Sequence, residues 1–255
     1  MIKILILTLS GLLILIIFLR RWYLLEKGEM LGKMVFKKGK NLTEDFTKDD
    51  VEVTAEDITN TNEVSAKMEI KANVLFKRGE TSLGEGDMEN AEKLYIQALS
   101  FNPNHSGALA ALGGIYLRNN LAGKAEIIFR KLVVIDVGND QFLSSLALSL
   151  FKQEKFEEAK TYYSKALEIE PKKAGRRFAL AQCMYETGEF EKAFKEIDES
   201  IATDGKNLDF IYTKAYWLKE KSGIESALEF LNQVKAKSTK SDEIDEYISK
   251  LTLEA

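Results

Sequence analysis

The sequence predicts an all-α fold, a solenoid of paired helices preceded by one apolar span. Three observations carry this reading. Alanines recur at one constant interval, at Ala91, Ala125, Ala159, Ala193 and Ala227. Several neighbouring columns keep the same period, the signature of stacked structural units. The stretch from Met1 to Leu25 differs from all that follows, because Ile4 to Leu19 is an uncharged run made mostly of Leu and Ile.

Composition narrows the function classes. Of 255 residues, 45% are apolar and 30% charged, the mixture of a folded chain. A single cysteine and a single histidine exclude a disulfide framework, a thiolate zinc site and a histidine metal cluster. A net charge of -4 gives no reason to expect nucleic acid. The expectation is a protein with no metal, no cofactor and no catalysis of its own.

Taken in order, the first element is residues 1–25, expected as a single membrane span. The apolar run reaches about 24 Å as a helix, and Trp22-Tyr23-Leu24-Leu25 lengthens it with an interfacial aromatic marker. A cleaved secretory signal is the rival reading; Arg20-Arg21-Trp22-Tyr23 makes a poor cleavage site. Seven basic residues lie between Arg20 and Lys40, against Glu26 and Glu29, so the positive-inside rule places the rest of the chain in the cytoplasm. The sequence-based expectation is therefore single-pass placement in the inner (plasma) membrane, with the lipid bilayer as a partner through residues 4–25.

Residues 26–60 follow as a charged, mostly irregular linker. It is basic to Lys40 and then acidic, with seven acidic residues and one lysine over 41–60. No period of 2 or 3.6 is sustained there.

From residue 61 to 252 the repeat dominates. Four positions after each anchor alanine stand Tyr95, Phe129, Tyr163, Ile197 and Leu231, and three further on Ala98, Leu132, Ala166, Ser200 and Val234. Twelve positions before the anchors lie Gly79, Gly113, Ala147, Ala181 and Ala215. Small residues in these columns let two helices approach closely, and the larger column fills the gap beside them. Asn102-Pro103 and Glu170-Pro171 end second helices.

The chain thus resembles the tetratricopeptide repeat family, whose units recur every ~34 residues. The resemblance covers repeats 72–105, 106–139, 140–173, 174–207 and 208–241. Repeat 140–173, with Leu146-Ala147, Ala159, Tyr163, Ala166 and Pro171, follows the family pattern most fully. The resemblance implies a right-handed superhelical α-α solenoid. Asn62 to Lys71 extends the first helix backwards, to roughly 61–83, and Ser241-Asp242-Glu243 opens a capping helix over about 242–252, with Ile244, Tyr247, Ile248 and Leu251 at helical spacing.

In this family the first helix of each repeat lines a concave surface that holds a peptide or helix. Carried over residue by residue, the candidate groove is Phe76, Leu148, Phe151, Phe178, Gln182, Tyr185, Tyr212 and Tyr216. The family's clamp for a C-terminal carboxylate is absent, because Phe76 and Glu80 stand where its Lys and Asn would be. The aromatic stretch reads either as a protein-binding surface or as packing between repeats. His105 reads as a loop or cap residue, and Cys183 and Trp217 as core. The functional expectation is a membrane-anchored scaffold that binds a partner protein or peptide. Two alternatives stand beside it: an exported envelope or pilus-assembly factor, and a non-catalytic accessory subunit of a membrane enzyme complex.

Overall fold

The computed structural model describes residues 61–253. They form eleven α-helices: α1 (Thr61–Gly84), α2 (Met88–Phe101), α3 (Ser106–Arg118), α4 (Ala122–Ile135), α5 (Asp140–Phe151), α6 (Phe156–Ile169), α7 (Ala174–Glu186), α8 (Phe190–Thr203), α9 (Leu208–Ser222), α10 (Ile224–Lys235) and α11 (Ser241–Leu253). The chain divides into two compact units, one ending at Leu112 and the other running from Gly113 to Ala255.

The expected membrane span is corrected here. Residues 4–25 lie outside the described residues, and among the described residues no helix is long and apolar enough to cross a membrane. α1 has the length, at 24 residues, but it carries Lys67, Glu69, Lys71, Lys77, Arg78 and Glu80. Such a charge load is incompatible with a hydrocarbon core. The membrane-anchored family description, the bilayer as partner and single-pass inner-membrane placement are therefore not carried forward. What remains is an all-α repeat array. The linker expected over 26–60 also lies outside the described residues.

In the first unit, α1 and α2 close around Ala72, Leu75, Ala91, Leu94, Tyr95, Ile96 and Ala98, with Ala108, Leu109 and Leu112 of α3 added. The small residue at the close approach is Gly79. A Cβ built there would lie 2.5 Å from the Tyr95 ring, so the tyrosine occupies the space that the missing side chain leaves.

The second unit repeats this chemistry. Ala125, Ala147, Ala159, Ala181, Ala193, Ala215 and Ala227 are all fully buried, and Phe129, Tyr163, Ile197 and Leu231 pack into the gaps beside them. Residues with positive φ close the turn inside each repeat. Asn120 (φ 56°), Glu154 (φ 60°) and Gly188 (φ 82°) hold equivalent positions in three successive repeats. In the last repeat Ser222 stays helical and Gly223 takes the turn at φ 91°. First helices begin on an N-cap column: the Asn139 side chain accepts from the backbone N–H groups of Gln141 and Phe142, and Asn207 accepts from Asp209. Lys173 holds the same position before α7 and makes no side-chain cap.

Ion pairs link successive second helices. Glu126 on α4 receives Lys155 of the next repeat at 2.7 Å, and it also holds Arg130 at 2.8 Å. Lys160 on α6 bonds Glu189 of the repeat after. These two inter-repeat bridges occupy equivalent positions, one repeat apart, with their signs exchanged. Partial burial works against the Glu126 charge, but hydrogen bonds from Lys155, Arg130 and Gln153 outweigh it and pull its carboxyl below the usual range. Hydrogen bonds from Lys160 and then Lys192 hold the Glu189 carboxyl down at about 2.

Candidate protein-binding face

In the second unit the part of α3 from Gly113 onward and the first helices α5, α7 and α9 share one outward register column: Gly114, Leu148, Gln182 and Tyr216, one from each repeat. Leu148 is 37% exposed and Tyr216 is 50% exposed. Gln182 is half-buried between them in sequence order. A Cβ at Gly114 or Gly175 would meet nothing within 4 Å, so the backbone is open to an approaching chain at both places.

The remaining candidate groove residues are engaged within the array. Phe151 meets Phe156 edge-on, with ring centroids 5.4 Å apart. Phe178 packs on Phe210 of the next repeat at 4.6 Å. Tyr185 stacks on Trp217 at 4.3 Å and 5°, while Phe194 meets that indole edge-on. Tyr212 stacks on Tyr247 of α11 at 4.1 Å, and its hydroxyl donates to the Glu243 carbonyl at 3.0 Å. Phe151, Phe178, Tyr185 and Tyr212 are each half-buried. The outward column therefore narrows to Leu148, Gln182 and Tyr216.

Phe76 belongs to the first unit and works there as a packing residue. Its ring lies 4.9 Å from His105 and 5.8 Å from Tyr95. His105 caps α3: its Nδ1 accepts from the Ala108 N–H at 3.0 Å, so its Nε2 carries the proton toward Asn73 Oδ1 at 3.1 Å. Asn73 in turn donates to Glu69, which also accepts from Asn102. Asn73 and His105 thus tie α1 to the start of α3, a role that a column of apolar residues does not signal.

Among the described residues no group of three or more His, Cys, Asp or Glu could hold a metal ion. Cys183 is fully buried, and burial pushes its thiol up to about 12, which leaves it unreactive as a nucleophile. Trp217 is 5% exposed and serves the core. Among the described residues Cys183 is not set beside a base and an orienting group.

Comparison with known proteins places this geometry. Tetratricopeptide repeat profiles match residues 72–105 and 150–213. Among curated proteins, anaphase-promoting complex subunit 3 of Schizosaccharomyces pombe is 22% identical over 132 residues, 51% of this chain and 20% of that protein. The human protein O-mannosyl-transferase TMTC3 is 32% identical over 106 residues, 41% of this chain and 12% of that protein. The chain spans a fifth or less of the length of these relatives. Among solved structures, MamA superposes with a TM-score of 0.62 at 19% identity, covering 68% of this chain and 94% of that one. YrrB, described as a tetratricopeptide repeat protein with an unusual peptide-binding site, gives 0.58 at 20% identity, covering 69% and 90%. Pseudomonas aeruginosa pilF gives 0.57 at 17%, covering 74% and 91%. Likeness at that level of identity is likeness of fold, and together with the matched profiles it supports a tetratricopeptide-repeat array.

Proposed function

We propose that the chain is a non-catalytic protein-interaction scaffold that captures a segment of a partner protein on the first-helix face of the second unit. The observation that carries this reading is the outward column of Leu148 and Tyr216, two exposed apolar side chains at equivalent positions of α5 and α9, with Gln182 between them in register. Apolar contact supplies affinity, and the Gln182 amide can pair with a partner's backbone. The peptide-binding site named for YrrB, a protein of the same fold, adds support.

The test is partner capture by the full chain carrying Leu148→Asp together with Tyr216→Ala. Both positions are exposed, so the thermal midpoint is expected to move by no more than about 2 °C. Capture of the wild-type partner is expected to fall at least about tenfold. Undiminished capture would overturn the reading.

A second reading, an accessory subunit of an enzyme complex, takes its support from the relatives. One is named as a subunit of a complex and another as a mannosyl-transferase, each matched over a small part of its length. In that reading the same face holds the partner enzyme or its substrate. Co-purification of an enzyme that depends on Leu148 and Tyr216 would favour it.

A further inference from the structure

This inference rests on the groove reading above and names the chemistry of what the groove takes. Four positions beyond each member of the outward column stands another residue: Arg118, Lys152, Glu186 and Glu220. An i, i+4 spacing puts the members of each pair on one side of their helix. All four charged residues are exposed. They sit at or near the C-terminal ends of α3, α5, α7 and α9, so in each repeat they mark the same rim of the face.

The charges are grouped: two cations in repeats 106–139 and 140–173, then two anions in repeats 174–207 and 208–241. Helix stability explains only half of this pattern. Cations at helix C-termini are favoured by the macrodipole, whereas Glu186 and Glu220 lie where that dipole opposes a carboxylate. Lys219 and Lys221 flank Glu220, and the Lys221 ammonium is held over the Phe190 and Tyr185 rings, 3.6 Å and 5.5 Å from their centroids. Lys152 donates to Asn120 Oδ1 at 3.4 Å and has Glu154 two residues on.

We propose that the face takes a partner-protein segment whose two ends carry opposite charge. Its acidic end lies over Arg118 and Lys152 and its basic end over Glu186 and Glu220, with apolar or amide side chains between them over Leu148, Gln182 and Tyr216. A uniformly acidic or basic segment meets repulsion over half its length. The pattern therefore sets the direction in which the segment lies as well as which segments are accepted.

The experiment uses the full chain and fluorescent synthetic peptides of one composition in two orders. One peptide has an acidic block, an apolar spacer and a lysine block; the other interleaves the same residues. Fluorescence anisotropy is expected to give at least roughly tenfold tighter binding for the blocked peptide, with the preference shrinking as salt is raised. E186K/E220K makes the rim uniformly cationic and is expected to abolish that preference in favour of an all-acidic peptide, with helix content unchanged by circular dichroism. Equal binding of the two orders, binding of neither, or a preference that survives E186K/E220K would overturn the proposal. Leu148→Asp with Tyr216→Ala separates the two readings. If both orders bind equally and this variant abolishes both, the charge pattern falls and the groove stands. If this variant leaves the blocked-peptide preference intact, the groove contact falls.

Discussion

Glu154 holds a backbone conformation, φ 60°, that glycine fills in the equivalent turn of the following repeat and asparagine in the preceding one. An L side chain there carries a steric penalty of about 1–2 kcal/mol, partly offset by the greater chain entropy that glycine loses on folding. Glu154→Gly is therefore expected to stabilise the fold by about 0.5–1 kcal/mol, measured by urea unfolding. A loss of stability would mean that the glutamate makes a compensating contact. Cys183 gives a residue-scale expectation in pH. Its folded thiol is raised to about 12 by burial, against about 8.5 in an unfolded chain. The folded state therefore gains stability that is fully present below pH about 8.5 and lost as pH rises toward 12. Burial raises Tyr163 in the same direction. Unfolding measured at pH 7 and 10 is expected to show a smaller alkaline decline for Cys183→Ala than for the native chain, and equal declines would contradict this assignment.

At the scale of helices, the periodic columns were legible because each obeys one packing constraint repeated along the chain. Ala159 meets the same close approach as Ala125, and Tyr163 fills the same gap as Phe129. What periodicity does not encode is what covers a face from outside the repeat. Tyr212 occupies a column that the family turns toward a ligand, yet α11, further down the chain, supplies Tyr247 and the Glu243 carbonyl to meet it. Tyr185 and Phe178 were ambiguous for a related reason: the indole of Trp217 and the ring of Phe210 arrive from the neighbouring repeat, beyond a single-helix pattern. The turn at Glu154 was hidden because the residue type contradicts its conformation. α11 can be tested separately. Ile244 is fully buried in one cluster with Ile211 and Leu231, so Ile244→Ala is expected to cost about 3 kcal/mol in denaturant unfolding. An unchanged midpoint would show that α11 does not unfold together with the last repeat.

Over the molecule as a whole, the helix pairs look interchangeable, since the same small and aromatic columns serve each one. The exchanged signs of the bridges Glu126–Lys155 and Lys160–Glu189 make them distinguishable. Were repeat 140–173 removed, Glu126 would face Glu189; were it duplicated in tandem, Lys160 would face a second copy of Lys155. A chain lacking 140–173 is expected to gain thermal stability when Glu189→Lys is added, whereas the same substitution in the intact chain should lower it by placing two lysines together. If both backgrounds respond alike, the bridges have no part in telling one repeat from another. Tandem arrays are prone to lengthen and shorten by whole units, since neighbouring stretches of their coding sequence are alike. In this chain loss or duplication of unit 140–173 leaves a like-charge seam at the join, so the place of that unit is guarded by two pairs of side chains.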